Sequence, residues 1–185
     1  DVALDPTTGK VFVADVAARR ILRYPPAAIR QNDVPPEAVL GQSDLLAAAN
    51  AEGRNHFPTV SAIAFSPSGA LFVCDHANHR VMRFDQASSL TNGAPADAVF
   101  GQADFNTDTS GTNLAKFDTP RGIAVSPAGS LFVADTANQR VLRFDNAELA
   151  ESGGAANAVF GAPADVRQAM SFPDGVAVDT SGRLW

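Results

Sequence analysis

Three histidines, His56, His76 and His79, have the clearest capacity for metal chemistry in this 185-residue chain. A neutral imidazole is a good ligand for Zn²⁺ or Cu²⁺. His76 stands where related segments carry Val16 and Thr136, so the histidines depart from the pattern of the chain. A turn that accepts Val or Thr also accepts His as an ordinary surface residue. The residue types therefore leave two interpretations open, a divalent metal site or surface positions.

Aspartates recur along the chain, and each is followed by an arginine five positions later. A row of such carboxylates would suit a bound cation, whereas an Asp that begins a turn accepts local backbone N–H bonds and pairs with the following Arg. Repetition favours the structural interpretation, because an array needs its turn in every unit and an active site is needed once. The residues are Asp15, Asp75 and Asp135 with Arg20, Arg80 and Arg140.

A long polar segment at 105–116 is the third candidate. The chain is seven residues shorter at the corresponding place before the next related segment. Long loops on a rigid scaffold commonly bind ligands, and the oxygens of this segment also suit Ca²⁺. We predict ligand contacts from Asn106, Asp108, Thr112 and Asn113, with a plain connector as the alternative.

The elements that position these residues repeat along the chain. Asp15, Asp75 and Asp135 are 60 residues apart, and the fourth copy of the pattern begins early. Such long-period self-similarity indicates an array of units that cannot bury their apolar surface alone. We place the units at about 1–61, 62–121, 122–174 and 175–185, the last incomplete.

Each unit reads as four short strands joined by polar turns. Leu71-Phe72-Val73 shows no alternation with polar residues, which indicates a strand that is buried on both faces. Sheets of this kind in series predict an all-β fold, a β-propeller of four-stranded antiparallel blades, with about three and a half blades present. In the second unit the strands are predicted at 62–65, 70–74, 80–84 and 98–100.

The repeated motif resembles the NHL repeat. It reads Gly122-Ile-Ala-Val-Ser-Pro-Ala-Gly and then Leu131-Phe-Val-Ala-Asp-Thr-Ala-Asn-Gln-Arg-Val. The resemblance implies a propeller of the six-bladed type, and the chain, which begins at Asp1, is expected to be a fragment of a longer protein. The motifs Gly41-Gln-Ser-Asp and Gly101-Gln-Ala-Asp are similar to those of exported bacterial NHL proteins. This resemblance implies an extracellular or periplasmic location.

Charge and hydropathy exclude several classes of protein. The net charge is −6 and the chain has two lysines, Lys10 and Lys116, which argues against nucleic-acid binding. No apolar run approaches the roughly 20 residues that span a bilayer. The single Cys74 excludes an internal disulfide and is expected to be a small buried hydrophobe. An incomplete ring would expose apolar blade faces, so we expect the chain alone to self-associate.

Two functions remain. The first is a non-catalytic scaffold that presents rim loops to a protein, peptide or glycan ligand. The alternative is a metal-dependent hydrolase or lyase, similar to the lactonase-like enzymes of this fold, with most catalytic residues in blades outside this segment. The strands nearest the channel carry no catalytic side chains, which favours the scaffold. Asp1 and Asp174 are the acidic residues at the channel mouth.

Overall fold

The described residues form three four-stranded antiparallel sheets. The structure is a computed structural model that describes residues 1–48, 53–161 and 170–185. Its three sheets each follow chain order, from the innermost strand of a blade to the outermost. The predicted all-β fold, a partial β-propeller, is confirmed.

The strands of the three blades have these bounds. Blade 1 contains β1 (Val2–Leu4), β2 (Val11–Asp15), β3 (Arg20–Tyr24) and β4 (Ala38–Leu40). Blade 2 contains β5 (Val60–Phe65), β6 (Leu71–Asp75), β7 (Arg80–Phe84) and β8 (Ala98–Phe100). Blade 3 contains β9 (Gly122–Val125), β10 (Leu131–Asp135), β11 (Arg140–Phe144) and β12 (Ala158–Phe160). Short 3₁₀ helices lie at Pro26–Ile29, His76–Asn78 and Ala87–Ser89.

The innermost strand of blade 2 differs from its prediction. It begins at Val60, ahead of the predicted Ala62, because the pairing continues past an irregularity. Val60 lies opposite Asp75 and Ala62 lies opposite Cys74, so Ser61 is the extra residue of a β-bulge. A bulge re-aims a side chain and often lies beside a functional site. The sequence motif carries no sign of this bulge.

The hydrophobic core lies between blades rather than within one. One face of blade 2, with Leu71 and Met82, packs with Phe12 and Ile21 of blade 1. The other face packs against blade 3, which buries Cys74 completely. All five residues of β6 are buried, so the predicted burial of both faces is confirmed.

The corresponding face of blade 1 is partly open. Val11 and Val13 of this face align with the buried Leu71 and Val73 of blade 2, yet both are only half-buried. Partly exposed apolar sheet faces favour association between molecules. The expected self-association stays a prediction, and light scattering on the purified chain tests it.

Residues 170–185 begin a further unit. Ala177 and Trp185 exchange two backbone hydrogen bonds, with N···O distances of 3.0 and 2.8 Å. Val178 and Leu184 form an isolated bridge. The expected incomplete unit at 175–185 therefore contains a β-bridge instead of a regular strand. In the part of the chain that the structure describes, no helix is long and apolar enough to cross a membrane.

Candidate binding cleft on the loop rim

The repeated aspartates and arginines form ion pairs across the turn between the second and third strands. In blade 2, Arg80 Nε donates to Asp75 Oδ2 at 2.9 Å, and both side chains are buried. Burial raises the pKa of Asp75, and the Arg80 guanidinium opposes that shift. The equivalent distances are 2.9 Å for Arg20–Asp15 and 2.7 Å for Arg140–Asp135. These residues are thus part of the framework in every blade.

The same arginines hold the loops that lead into each blade. Arg80 donates to the carbonyl oxygens of His56 at 3.1 Å and Phe105 at 2.8 Å. Arg140 donates to those of Thr112 at 2.5 Å and Asn113 at 2.9 Å. The loops and the turns at 76–79 and 136–139 therefore share one edge of the blades, which we call the loop rim.

The predicted ligand loop has a fixed backbone and free side chains. Asn106, Asp108 and Thr112 are exposed, and their side chains make no hydrogen bond within residues 1–48, 53–161 and 170–185. Asn113 differs, because its Oδ1 accepts the backbone N–H of Ala115 at 2.9 Å. The loop thus presents three uncommitted polar side chains on a held backbone.

The three histidines have separate surroundings on this rim. His56 Nδ1 lies 3.0 Å from Asn55 Oδ1. His79 Nδ1 accepts the backbone N–H of Thr119 at 2.9 Å, which joins blade 2 to the loop before blade 3. His76 Nδ1 is buried and unpartnered in the described structure. Across the described ranges, no three His, Cys, Asp or Glu side chains form a group that could hold a metal. The divalent metal site stays a prediction.

His76 faces a polar cleft at the mouth of the channel. We call this site the mouth cleft: it has a volume of about 230 Å³ and is lined by Ser61, His76, Arg121 and Asp174. Ser61, Arg121 and Asp174 occupy one repeat position, four residues before Phe65, Val125 and Val178. That position changes from Ser to Arg to Asp between units, whereas the framework residues do not change.

Two opposite charges meet in the mouth cleft. Arg121 Nη1 lies 3.4 Å from Asp174 Oδ1, and the two side chains are 56% and 73% exposed. The blades can approach here because residue 122 is glycine: a Cβ on Gly122 would lie 2.6 Å from the carbonyl oxygen of Asp174. The pair is a long, solvated contact with most of its hydrogen-bonding capacity unused.

The surroundings of His76 lower the pKa of its imidazole below the ordinary value. Burial lowers its pKa, and the nearby Arg121 guanidinium lowers it further, against the attraction of Asp75. In blade 3 the equivalent Thr136 donates to the carbonyl oxygen of Pro173 at 2.7 Å. The carbonyl of Pro120, equivalent to that of Pro173, instead lies 3.3 Å from Cys74 Sγ. His76 thus lacks the contact that Thr136 makes in blade 3.

Sequence reasoning identified Asp174 and His76 but missed Ser61 and Arg121. Their signal is available in the repeat, since both lie at a repeat position that varies between units. Asp1, the other acidic candidate, has a structural contact: its Oδ2 accepts the backbone N–H of Ile63 at 2.8 Å.

The opposite mouth of the channel is mainly apolar. A cavity of about 390 Å³ is lined there by the ends of the innermost strands and the prolines of the following turns. Its residues include Leu4, Phe65, Val125, Val178 and Pro67. Asp179 is the charged side chain among the residues that line this mouth.

Comparison with known proteins supports the repeat and the fold. The family model described as NHL repeat matches residues 117–144. A stretch of 89 residues is 36% identical to teneurin-1 of the mouse, over 43% of this chain and 3% of teneurin-1. The chain therefore spans a small fraction of the length of that relative.

Solved structures with the same fold are distant in sequence. Hydrazine synthase of Kuenenia stuttgartiensis superposes with a TM-score of 0.63 at 14% identity, over 99% of this chain and 40% of that one. A streptogramin B lyase superposes with a TM-score of 0.58 at 10% identity, over 100% and 46%. At such identities the likeness establishes the propeller fold alone. The chain is thus a propeller segment that carries an NHL repeat.

Proposed function

We propose that the chain is part of a non-catalytic interaction scaffold, an exported bacterial NHL-repeat propeller located outside the cytoplasm. The loop rim presents the segment at 105–116 to a protein, peptide or glycan partner. Nucleic acid is not the partner in this proposal, because the net charge is −6.

One observation carries the proposal. Arg140 holds the backbone of the loop through the carbonyls of Thr112 and Asn113, while the side chains of Asn106, Asp108 and Thr112 remain exposed. A loop that is already ordered loses little conformational entropy when it binds. Such a preorganised, polar surface suits recognition of a partner.

A triple substitution tests the loop directly. Asn106→Ala, Asp108→Ala and Thr112→Ala remove the exposed side chains, and they leave intact the carbonyl contacts of Arg140 and the side-chain bond of Asn113. Peptide and glycan arrays probed with the chain should show ligands whose affinity this variant lowers at least about tenfold. The matched control replaces the exposed Gln31 and Asn32 of blade 1 by alanine and should bind normally. Equal binding by both variants contradicts the proposal.

The alternative is a lactonase-like, metal-dependent hydrolase or lyase. A lactone panel with added divalent metal separates the two functions. Turnover that a chelator abolishes, together with no array ligand, would favour the enzyme.

A further inference from the structure

The mouth cleft holds charges that the framework does not use. The framework pair Asp75–Arg80 has buried partners and several short hydrogen bonds. Arg121 and Asp174, by contrast, make one contact with each other, at 3.4 Å. A guanidinium has five donors in a planar fork, so Arg121 retains a complete face for a carboxylate.

We propose that the mouth cleft binds a free α-amino acid as its zwitterion, with the carboxylate on Arg121 and the ammonium group on Asp174. The proposal rests on the proposed binding role of the loop rim and names a second ligand for it. An α-amino acid carries its two charges on adjacent atoms, which suits a guanidinium and a carboxylate that lie side by side. Ser61 and His76 complete the cleft with neutral polar groups.

Ser61 and His76 each have hydrogen-bonding capacity that is available to a ligand. The bulge at Ser61 takes this residue out of the regular pairing of β5 with β6. Its hydroxyl lies 3.4 Å from the carbonyls of Cys74 and Pro120, so both contacts are long. His76 Nδ1 is buried and unpartnered in the described structure, and a buried polar atom without a hydrogen-bond partner is unfavourable until a partner arrives.

Other ligand classes fit less well. A metal cation would be repelled by Arg121, and a simple anion would be repelled by Asp174. Sugars are commonly bound against aromatic rings, and no aromatic side chain of the described residues lines this cleft. Pockets for drug-sized molecules measure about 300–1,000 Å³, so a cleft of about 230 Å³ suits a small ligand.

Three related probes test the charge requirement. Calorimetric titration of the chain with L-alanine, N-acetyl-L-alanine and L-alaninamide compares the zwitterion with each single charge. L-Alanine should bind with Kd of about 1 mM, as expected of so small a ligand. The two blocked probes should bind at least about tenfold more weakly, because each lacks one charge-assisted hydrogen bond.

Substitutions then test whether Arg121 and Asp174 bind the two charged groups of L-alanine. Arg121→Ala and Asp174→Asn should each weaken L-alanine binding at least about tenfold. The exposed residues of blade 1 give matched controls, Arg30→Ala and Asp33→Asn, which should bind L-alanine normally. Circular dichroism on each variant confirms that the blades remain folded.

Several results would overturn the amino-acid site. If either blocked probe binds as tightly as L-alanine, the site does not require both charges of the ligand. No heat with L-alanine at tens of millimolar, or normal binding by Asp174→Asn, also rejects it. The rim-loop triple variant should bind L-alanine normally and Arg121→Ala should keep the array ligands, so the two proposals fail independently.

Discussion

Asp75 and His76 are neighbours in the chain but belong to different parts of the molecule. Asp75 is fully buried, recurs in each blade and pairs with Arg80 across the turn. His76 faces the mouth cleft, and Val16 and Thr136 replace it in the other blades. The turn thus separates a framework side, where contacts repeat, from a variable side, where side chains differ between blades.

This difference shows how a fold built from repeated units can carry a site whose residues differ between the units. Blades 2 and 3 each need their own Asp–Arg pair because the arginine also holds the loop that leads into that blade. The repeat position shared by Ser61, Arg121 and Asp174 makes no such buried ion pair in the described structure, and its residues differ in charge. Substitutions on the two sides should therefore differ in their effect on stability.

The largest loss of stability should follow Asp75→Ala. The substitution leaves the buried Arg80 guanidinium without its carboxylate, at a cost of about 3–5 kcal/mol. Asp15→Ala in blade 1 should cost about 1 kcal/mol, because its pair with Arg20 is partly exposed. Urea unfolding of both variants measures the difference, and equal losses would contradict the role of burial.

Gly101→Ala should cost about 3 kcal/mol, from strain and a clash together. Gly101 has φ of +83°, and a Cβ there would lie 2.2 Å from the Phe117 ring and 2.8 Å from the carbonyl oxygen of His79. Gly129 has φ of +79° with nothing within 4 Å, so Gly129→Ala carries the strain alone, about 1–2 kcal/mol. Thermal unfolding compares the two; a loss no greater for Gly101→Ala would argue against the clash.

Arg121→Ala should change stability by at most about 1 kcal/mol, because its pair with Asp174 is long and solvated. Urea unfolding should show a small difference from the unsubstituted chain at low salt and a smaller one at high salt, because salt screens an exposed ion pair. A loss comparable to that of Asp75→Ala would show that Arg121 stabilises the fold as the framework residues do. It would contradict the distinction between the framework side and the variable side.

The smallest effect concerns pH. The folded-state pKa of His76 is lowered by burial and by Arg121, below the ordinary value of 6.5. Between the lowered folded-state pKa and 6.5, the unfolded chain binds more protons than the folded chain. The contribution of His76 to the free energy of unfolding is therefore fully present above pH 6.5 and is lost as the pH decreases towards the lowered pKa. His76→Thr, which installs the blade 3 residue, should reduce this slope and leave stability at pH 8 nearly unchanged. An identical slope in the variant would contradict the assignment.

Much of the fold can be predicted because the same pattern of strands and turns recurs in each blade. The continuous apolar run Leu71-Phe72-Val73 predicts a strand covered on both faces, and the structure places blades 1 and 3 against those faces. The bulge at Ser61 escaped prediction because it depends on pairing between Val60 and Asp75, which lie in different strands. The mouth cleft escaped for the same reason, since its four residues come from separate segments.

The amino-acid sequence by itself determined the unit, its four strands and the Asp–Arg turn, because local turn chemistry and an uninterrupted apolar run act within one repeat. It also marked the positions that vary between repeats. The stacking of the blades decided which of those positions meet. Arg121 and Asp174 are 53 residues apart in the sequence and 3.4 Å apart in the fold, because successive innermost strands enter the channel at the same mouth.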